Sequence, residues 1–434
     1  MKTNTPTEDK KMGKWLNRIE SVGNKLPDPF MLFFYLALIV IASSAVISLF
    51  NVSFTQPGEA ETIYIKSLLS KEGIEYMLTS MLTNFVSFKP LGLVLVMMLG
   101  IGLADKVGLL ETAIKSTILK APRSLITYAV VLTGIIGNIA SDAAFVIVPP
   151  LAAMVFYNIG RHPLAGLAAG FAGVGSGFTA NFMITGTDAL LSGISTEVMQ
   201  SLGSDIVVTP ADNWYFMVVS VFVLSTVGAL ITDKVVEPRL GTYGGEAGKD
   251  MQAVTPIELK GLIMATIAGL IFIGSLIIAI AWPGSILRNE DGGLVPSLFL
   301  DGIIPFILML FIIAAITYGK VTKQLKSTRQ IGDLMSEAIK DLSGFIVLIF
   351  TASQFIAYFD WTNLGTWIAV QGANGLEGLG LTGISVIIGF VLLTAILNLF
   401  IFSGSAQWAL EAPIFVKLFY FLDYHPAFVQ AAYR

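Results

Sequence analysis

The chain contains no cysteine among its 434 residues, which excludes disulfides, thiolate metal sites and covalent haem attachment. Its two histidines are too few for a His-rich metal centre. Charge is also scarce. Asp, Glu, Lys and Arg make up 13% of the residues, about half the share expected of soluble domains. That shortage excludes a water-soluble enzyme of this length, and a net charge of −4 with no basic stripe offers no footprint for nucleic acid. A cleavable signal is missing too: the mostly polar segment 1–28 precedes a first apolar run long enough to span and stay.

Apolar sequence is what abounds, with 55% hydrophobic residues and a mean hydropathy of +0.77. Crossing a hydrocarbon core of roughly 30 Å takes about 20 helical residues. Runs of that kind are clearest at 29–50, 84–104, 212–231, 257–282, 297–318 and 341–359. The reading is an all-α polytopic membrane protein with about nine or ten embedded segments.

Lys and Arg crowd into 1–28, 105–124, 233–260 and 320–340, thin out in 51–83 and 283–296, and are absent from 190–212 and 361–380. By the positive-inside rule, 1–28 is a cytoplasmic tail. The loops alternate sides only if 124–160 and 381–422 each enter and leave on one side. Both are apolar and are broken in the middle by a polar knot, Gly137-Asn138-Ile139-Ala140-Ser141-Asp142 in the first and 398–408 in the second. Polar backbone at membrane depth persists only where protein or a wet cavity covers it, which favours two re-entrant helical hairpins. Pairs of full spans joined by tight loops fit the count nearly as well.

A repeat at an offset of 263 residues organises the chain. Residues 150–169 lie over 413–432 with seven of twenty identities and no gap: Pro150/Pro413, Phe156/Phe419, Tyr157/Tyr420, His162/His425, Pro163/Pro426, Ala168/Ala431 and Ala169/Ala432. Both histidines of the chain occupy one repeat position. A weaker echo pairs Asp105…Leu109 with Asp360…Leu364. Arg161 adjoins one histidine and Asp423 lies near the other, so the copies read as facing opposite sides. Inverted-topology repeats with broken helices are the architecture of alternating-access carriers. The expected layout is a first half 29–240, with a transport helix 163–188 after its hairpin, and a second half 241–434 ending in a helix 426–434.

Polar groups at membrane depth are the residues that could carry chemistry. Thr179, Asn181, Thr185, Thr187 and Asp188 follow a Gly/Ala-rich stretch that lets helices approach closely. Asp188 at membrane depth is a candidate coupling-ion residue, loading a proton or a cation, unless it is simply a solvated helix end. Asp142 and Asn138 at the first hairpin tip are further coupling candidates. In the second hairpin Asn398, Ser403, Gly404, Ser405, Gln407 and Trp408 supply donors, acceptors and an aromatic face. Trp408 suits stacking on an aromatic ligand or anchoring at the interface. Arg434, eight residues after Pro426, suits bidentate binding of a carboxylate, or else snorkels.

The run Gly23-Asn24-Lys25-Leu26-Pro27-Asp28-Pro29-Phe30, together with Asp188, Asn398, Ser403-Gly404-Ser405-Ala406-Gln407-Trp408, Pro426 and Arg434, resembles the AbgT family of aminobenzoyl-glutamate transporters. The resemblance implies a homodimer with two re-entrant hairpins, a scaffold part and a mobile transport part. It also implies substrate contact at Trp408, Pro426 and Arg434, with Ser405 and Gln407 beside them, a role for Asp188 in substrate handling, and a cation-proximal Asn398. Implied cargoes are p-aminobenzoyl-glutamate or p-aminobenzoate-like molecules including sulfonamides, coupled to H+ or Na+, with no cofactor. A dicarboxylate or short-chain acid carrier is the competing reading. An intramembrane hydrolase using Asp142 and Asp188 as an acid/base pair is a distant third, lacking a Gly-x-Ser-x-Gly or HExxH motif. Adding the offset to Asp188 gives 188 + 263 = 451, so the second copy is expected to run past Arg434 and to leave Arg434 poorly supported.

The opposite-facing repeat makes a direct prediction in this Cys-free chain. A cysteine beside His162 should react with an impermeant thiol reagent from the cytoplasm only, and one beside His425 from outside only. Labelling of both from one side ends the inverted-repeat reading.

Overall fold

Local caps set many of the helix boundaries. Asp28 accepts the Phe30 N–H at 2.9 Å, and Pro29 takes the first helical position, where its missing N–H is not needed. Thr255 and Glu258 form a capping box ahead of a second N-terminal proline, Pro256. The computed structural model describes residues 21, 27–140, 142–243, 254–294, 297–381, 383–401 and 403–434, without the side chains of 140, 142 and 143. Most of the tail 1–28, and residues 23–26 of the N-terminal motif, lie outside the described residues.

In chain order the helices are α1 (Pro29–Ser48), α2 (Lys71–Val86), α3 (Lys89–Lys106), α4 (Leu109–Leu119), α5 (Ile126–Gly137), α6 (Asp142–Asn158), α7 (Pro163–Ser176), α8 (Gly186–Ser201) and α9 (Trp214–Ile231). There follow α10 (Pro256–Ala281), α11 (Ile303–Val321), α12 (Thr328–Asp341), α13 (Ser343–Trp361), α14 (Leu364–Gly378), α15 (Ile384–Asn398), α16 (Gly404–Phe421) and α17 (Pro426–Tyr433). An antiparallel pair of three-residue strands, Ser53–Thr55 with Thr62–Tyr64, lies between α1 and α2. The chain is thus an all-α polytopic membrane protein. Six described helical stretches are long and apolar enough to cross a bilayer: Pro29–Ser48, Lys71–Lys106, Trp214–Leu240, Pro256–Ala281, Ile303–Val321 and Ser343–Trp361. Each overlaps one of the six apolar runs.

Two expectations are corrected. The segment 51–83 is not all loop, because Ile74, Met77, Leu78, Met81 and Leu82 recur at helical spacing and form α2 despite Lys71, Glu72 and Glu75. The transport helix 163–188 is two helices, α7 and α8, parted where Gly173, Gly175 and Gly177 weaken the helix and Thr185 starts a new one. The compact units cut across the repeat halves 29–240 and 241–434. One unit comprises residues 1–91, 190–208 and 343–434, and the other 92–189 and 209–342, so each draws on both halves of the sequence.

Both expected hairpins are helix–break–helix elements. A 3-10 turn, Asn138–Ala140, separates α5 from α6, and residues 399–403 separate α15 from α16. At 1.5 Å per residue α5 spans roughly 18 Å and α15 roughly 22 Å, short of a roughly 30 Å core. These lengths suit re-entrant arms rather than full spans.

The two repeat copies share backbone devices. His162 and His425 each cap a helix with Nδ1, accepting Leu164 N–H at 3.3 Å and Ala427 N–H at 3.2 Å, with proline next in both. Gly160 (φ 78°) and Asp423 (φ 63°) turn the chain through the left-handed region at matching positions. The weaker echo holds as well: Gly108 (φ 82°) and Asn363 (φ 64°) start α4 and α14 in the same left-handed conformation.

In the unit 92–189 with 209–342, α7 packs between the hairpin arms α5 and α6 through glycine. A Cβ on Gly173 would lie 2.7 Å from the Val131 carbonyl oxygen, and one on Gly134 2.9 Å from the Gly173 carbonyl carbon. The base of this hairpin is tied by Arg161, whose Nη1 donates to Thr127 at 2.6 Å and whose Nη2 meets Asp233 at 2.6 Å and Glu237 at 2.5 Å. The cation used to orient the first repeat copy therefore carries two acidic partners. In the other unit α13 packs on α1 through Phe33 and Phe355, ring centres 5.7 Å apart, and Lys417 of α16 is buried in an ion pair with Asp360 at 2.5 Å.

The glycine seam yields a paired test. Gly173→Val, forced into the α5 backbone, should destabilise the detergent-purified protein by about 1–3 kcal/mol. Gly175→Ala meets nothing within 4 Å and should be neutral or slightly stabilising. Thermal unfolding followed by size-exclusion chromatography separates the two.

Candidate transport site

Where a helix breaks inside the membrane, its terminal carbonyls and N–H groups need partners that a continuous helix would not require. In the unit containing α5–α7, two asparagines serve this need reciprocally. Asn138 Nδ2, at the hairpin tip, donates to the Val174 carbonyl at 3.0 Å. Asn181 Nδ2, in the gap after α7, donates to the Ile135 carbonyl at 3.3 Å. Gly177 permits this crossing, because a Cβ there would collide with the Ile135 carbonyl and the Asn138 Cβ.

The same gap ends in an oxygen cluster. Asp188 is 1% exposed, and its Oδ2 accepts the Thr185 backbone N–H at 2.6 Å and the Thr185 hydroxyl at 2.9 Å. The Thr185 and Thr187 hydroxyls lie 3.0 Å apart. Asp188 is thus a buried cap on the first turn of α8, not a solvated helix end. A carboxylate with two hydroxyls is a donor set for a hard cation or a place to hold a proton. Asp142 stands at the first position of α6, with its side chain outside the described residues, so its pairing with Asp188 is not described.

The second hairpin, in the other unit, is built around Gln407. Its Nε2 donates to the Thr394 carbonyl at 2.9 Å and to Glu411 Oε1 at 2.7 Å, and its Oε1 accepts Asn398 Nδ2 at 3.1 Å. Ser403 caps α16 by accepting the Ala406 N–H at 3.3 Å, and half-buried Ser405 follows. Trp408 is 0% exposed. Its indole N–H donates to the Leu191 carbonyl at 3.1 Å, and its ring packs on Tyr433 with centres 4.6 Å apart. The Trp408 face that suits stacking on a ligand is covered by Tyr433 in this conformation.

Pro426 is buried at the first position of α17, and half-buried Arg434 closes that helix, its backbone N–H reaching the Gln430 carbonyl at 3.3 Å. Arg434 was expected to lack support, yet it keeps a partner. Tyr433 donates its hydroxyl to the Gly404 carbonyl at 2.5 Å, and Ser195 donates to Gln430 Oε1 at 2.7 Å. The structure thus gathers Asn398, Ser405, Gln407, Trp408, Pro426 and Arg434 within one unit, and Asn138 and Asp188 within the other.

Sequence reasoning missed Glu411, Tyr433, Ser195 and Gln430. Glu411 had a usable signal, being the one carboxylate in 381–422, four residues after Gln407 and so on its helical face. Among the described residues no cluster of three His, Asp or Glu is arranged to hold a metal ion.

Known proteins are similar to this chain in sequence and fold. The model of the AbgT putative transporter family matches residues 14–434. The p-aminobenzoyl-glutamate transport protein of Escherichia coli (strain K12) is 42% identical over 423 residues, 97% of this chain and 83% of that protein. The YdaH transporter of Alcanivorax borkumensis, whose crystal structure is described as having an unusual topology, superposes with a TM-score of 0.87 at 33% identity, covering 94% of this chain and 86% of its own. MtrF of Neisseria gonorrhoeae, assigned to a class of antimetabolite efflux pumps, superposes with a TM-score of 0.88 at 40% identity, covering 96% and 86%.

Burial of Trp408 sets a stability prediction. Trp408→Ala should cost about 3–5 kcal/mol, the range for an aromatic core truncation. Trp408→Phe keeps a ring on Tyr433, loses the bond to Leu191, and should cost about 1 kcal/mol on that account. Thermal midpoints of the purified variants would rank them; equal midpoints would show that Trp408 does not hold this region together.

Proposed function

We propose a specific activity for this chain, which belongs to the AbgT putative transporter family: secondary active transport of p-aminobenzoyl-glutamate or related p-aminobenzoate- and sulfonamide-like aromatic acids. In this reading it works in the bacterial inner membrane by alternating access, as a homodimer with its N-terminus in the cytoplasm, coupled to a proton or sodium gradient. It is a transporter and not an enzyme. The observation carrying the proposal is the duplicated helix-break device, one copy in each unit, with buried polar groups at each break. Secondary carriers place cargo and coupling ions at such sites near the midplane. The 42% identity to a p-aminobenzoyl-glutamate transport protein supports the cargo class, and the likeness to MtrF supports export as one direction.

Energetics distinguish the directions. p-Aminobenzoyl-glutamate is a dianion at neutral pH, and each charge is worth about 2.3 kcal/mol per 100 mV. Import driven by the potential therefore needs at least three co-transported cations, on the charge balance alone. Export of the anion is electrically favoured and suits an antiporter; a neutral sulfonamide gains nothing from the potential. A dicarboxylate or short-chain acid carrier is the second reading, though no aromatic cargo would then call on the Trp408–Tyr433 pair.

Counterflow of labelled p-aminobenzoyl-glutamate in proteoliposomes tests the proposal, with imposed Na+ or pH gradients identifying the coupling ion. Absence of counterflow for this compound and for p-aminobenzoate overturns the cargo assignment. Asp188→Asn keeps an oxygen acceptor for Thr185 and should leave the protein folded while abolishing gradient-driven accumulation. Wild-type accumulation in that variant would reduce Asp188 to a helix cap.

A further inference from the structure

Glu411 lies in α16, eight residues into the inner arm of the second hairpin, and is 2% exposed. One of its oxygens, Oε1, accepts from Gln407 at 2.7 Å. The other, Oε2, is buried and has no hydrogen-bond partner among the described residues. Among the described residues no Lys or Arg is paired with it. Lys417, six residues on in the same helix, is committed to Asp360 of α13 and to Thr366 of α14. The remaining charged or titratable groups on the helices packed against α16 in this unit are Tyr358 of α13, Glu377 of α14, Glu197 of α8, which Trp408 meets through Leu191, and Tyr433 and Arg434 of α17, while α15 carries none. None of these is bonded to Glu411.

A bare carboxylate buried without a cation costs several kcal/mol. A neutral carboxylic acid with one unpaired hydroxyl costs about 1–3 kcal/mol. The neutral acid is therefore the species that fits this place.

The repeat shows that the fold does not require a carboxylate here. Two residues before the matched prolines Pro150 and Pro413, the first copy has Val148 where the second has Glu411, and Val148 is 0% exposed. The hydrogen-bond partner is matched the same way, Ala144 standing where the second copy has Gln407. An apolar pair thus fills the same backbone frame. The polar pair costs stability relative to it, so it is retained for something other than packing. It also connects outward, because Gln407 accepts from Asn398 at the last turn of α15, beside the hairpin break. A continuous hydrogen-bonded path, Asn398 to Gln407 to Glu411, thus runs from the break to the buried acid.

We propose that Glu411 is a proton-carrying group of the transport cycle, neutral in the arrangement described here and ionised when the second hairpin opens to water. The proton leaves Oε2 for solvent water on one side of the membrane and is regained from water on the other. Gln407 turns its amide N–H to the carboxylate, so the charged form has a donor while it lasts. The inference rests on the carrier reading above and assigns its coupling ion to a residue.

Glu411→Gln, an isostere of the neutral acid, is the deciding variant in the full chain. In proteoliposomes it should keep counterflow of labelled p-aminobenzoyl-glutamate, which needs no gradient, and should lose accumulation driven by an imposed pH gradient down to the level of protein-free vesicles. Independently of transport, the infrared difference spectrum between acid and alkaline pH should show a protonated-carboxyl band in the wild type that Glu411→Gln lacks. Accumulation by Glu411→Gln equal to wild type, an unchanged carboxyl band, or wild-type accumulation that follows Na+ and ignores pH would each overturn the proposal. Absence of wild-type counterflow would instead strike the carrier reading, leaving the infrared band to decide on Glu411.

Discussion

A carbonyl left without a donor inside hydrocarbon costs several kcal/mol, and this chain interrupts its helices there. The reciprocal bonds from Asn138 to the Val174 carbonyl and from Asn181 to the Ile135 carbonyl are the interaction on which the first site depends. Each asparagine sits at one break and serves the helix end at the other, adding a side-chain donor to a carbonyl that a backbone N–H already reaches, so the ends of α5 and α7 are tied to each other. This requires backbones in near contact. Gly134, Gly173 and Gly177 provide that approach, at positions where a single Cβ would strike backbone or the other break. Sequence, break position and helix packing are thereby one constraint, and it fixes where the oxygen cluster of Thr185, Thr187 and Asp188 begins.

The second hairpin meets the same constraint by different means. Gln407 reaches back across the break to the Thr394 carbonyl, and Tyr433 reaches the Gly404 carbonyl from α17. Trp408 is held between them, its ring on Tyr433 and its N–H on Leu191. A cargo that stacks on Trp408 must therefore displace or join Tyr433. In this unit, exposing the aromatic face and moving α17 relative to α16 are linked events, and α17 is the helix that carries Pro426 and Arg434.

Much of this was legible in the sequence where the signal was local. Six spans follow from unbroken hydropathy, and Pro29, Pro256, Pro163 and Pro426 mark helix starts because proline at the first position is a property of the residue itself. The repeat was legible because His-Pro, a rare dipeptide in this chain, does the same capping job twice. What could not be read depended on partners distant in sequence. The break between α7 and α8 was hidden because part of its bonding comes from Asn138, 36 residues earlier in the chain. Nothing local to Trp408 shows that its ring is covered, because its cover, Tyr433, lies 25 residues away on another helix. The two compact units were hidden because each is assembled from both halves of the chain.

The duplicated frame and the unduplicated side chains divide the labour of the molecule. A left-handed residue, a histidine cap, a proline start and a proline within the preceding helix occur in both copies, and they fix only the path of the backbone. At the corresponding places inside that frame stand Ala144, Phe145 and Val148 in one copy and Gln407, Trp408 and Glu411 in the other. The first copy holds its carboxylate, Asp188, on the helix beyond its break, while the second holds Glu411 within the hairpin. A symmetric frame lets two conformations be nearly equal in energy, as alternating access requires. Asymmetric side chains decide which ligand biases which conformation, because a ligand shifts an equilibrium only through contacts that differ between the two states. In the proposed cycle the breaks supply the motion that the backbone repeat permits, and the residues without a repeat counterpart supply its coupling.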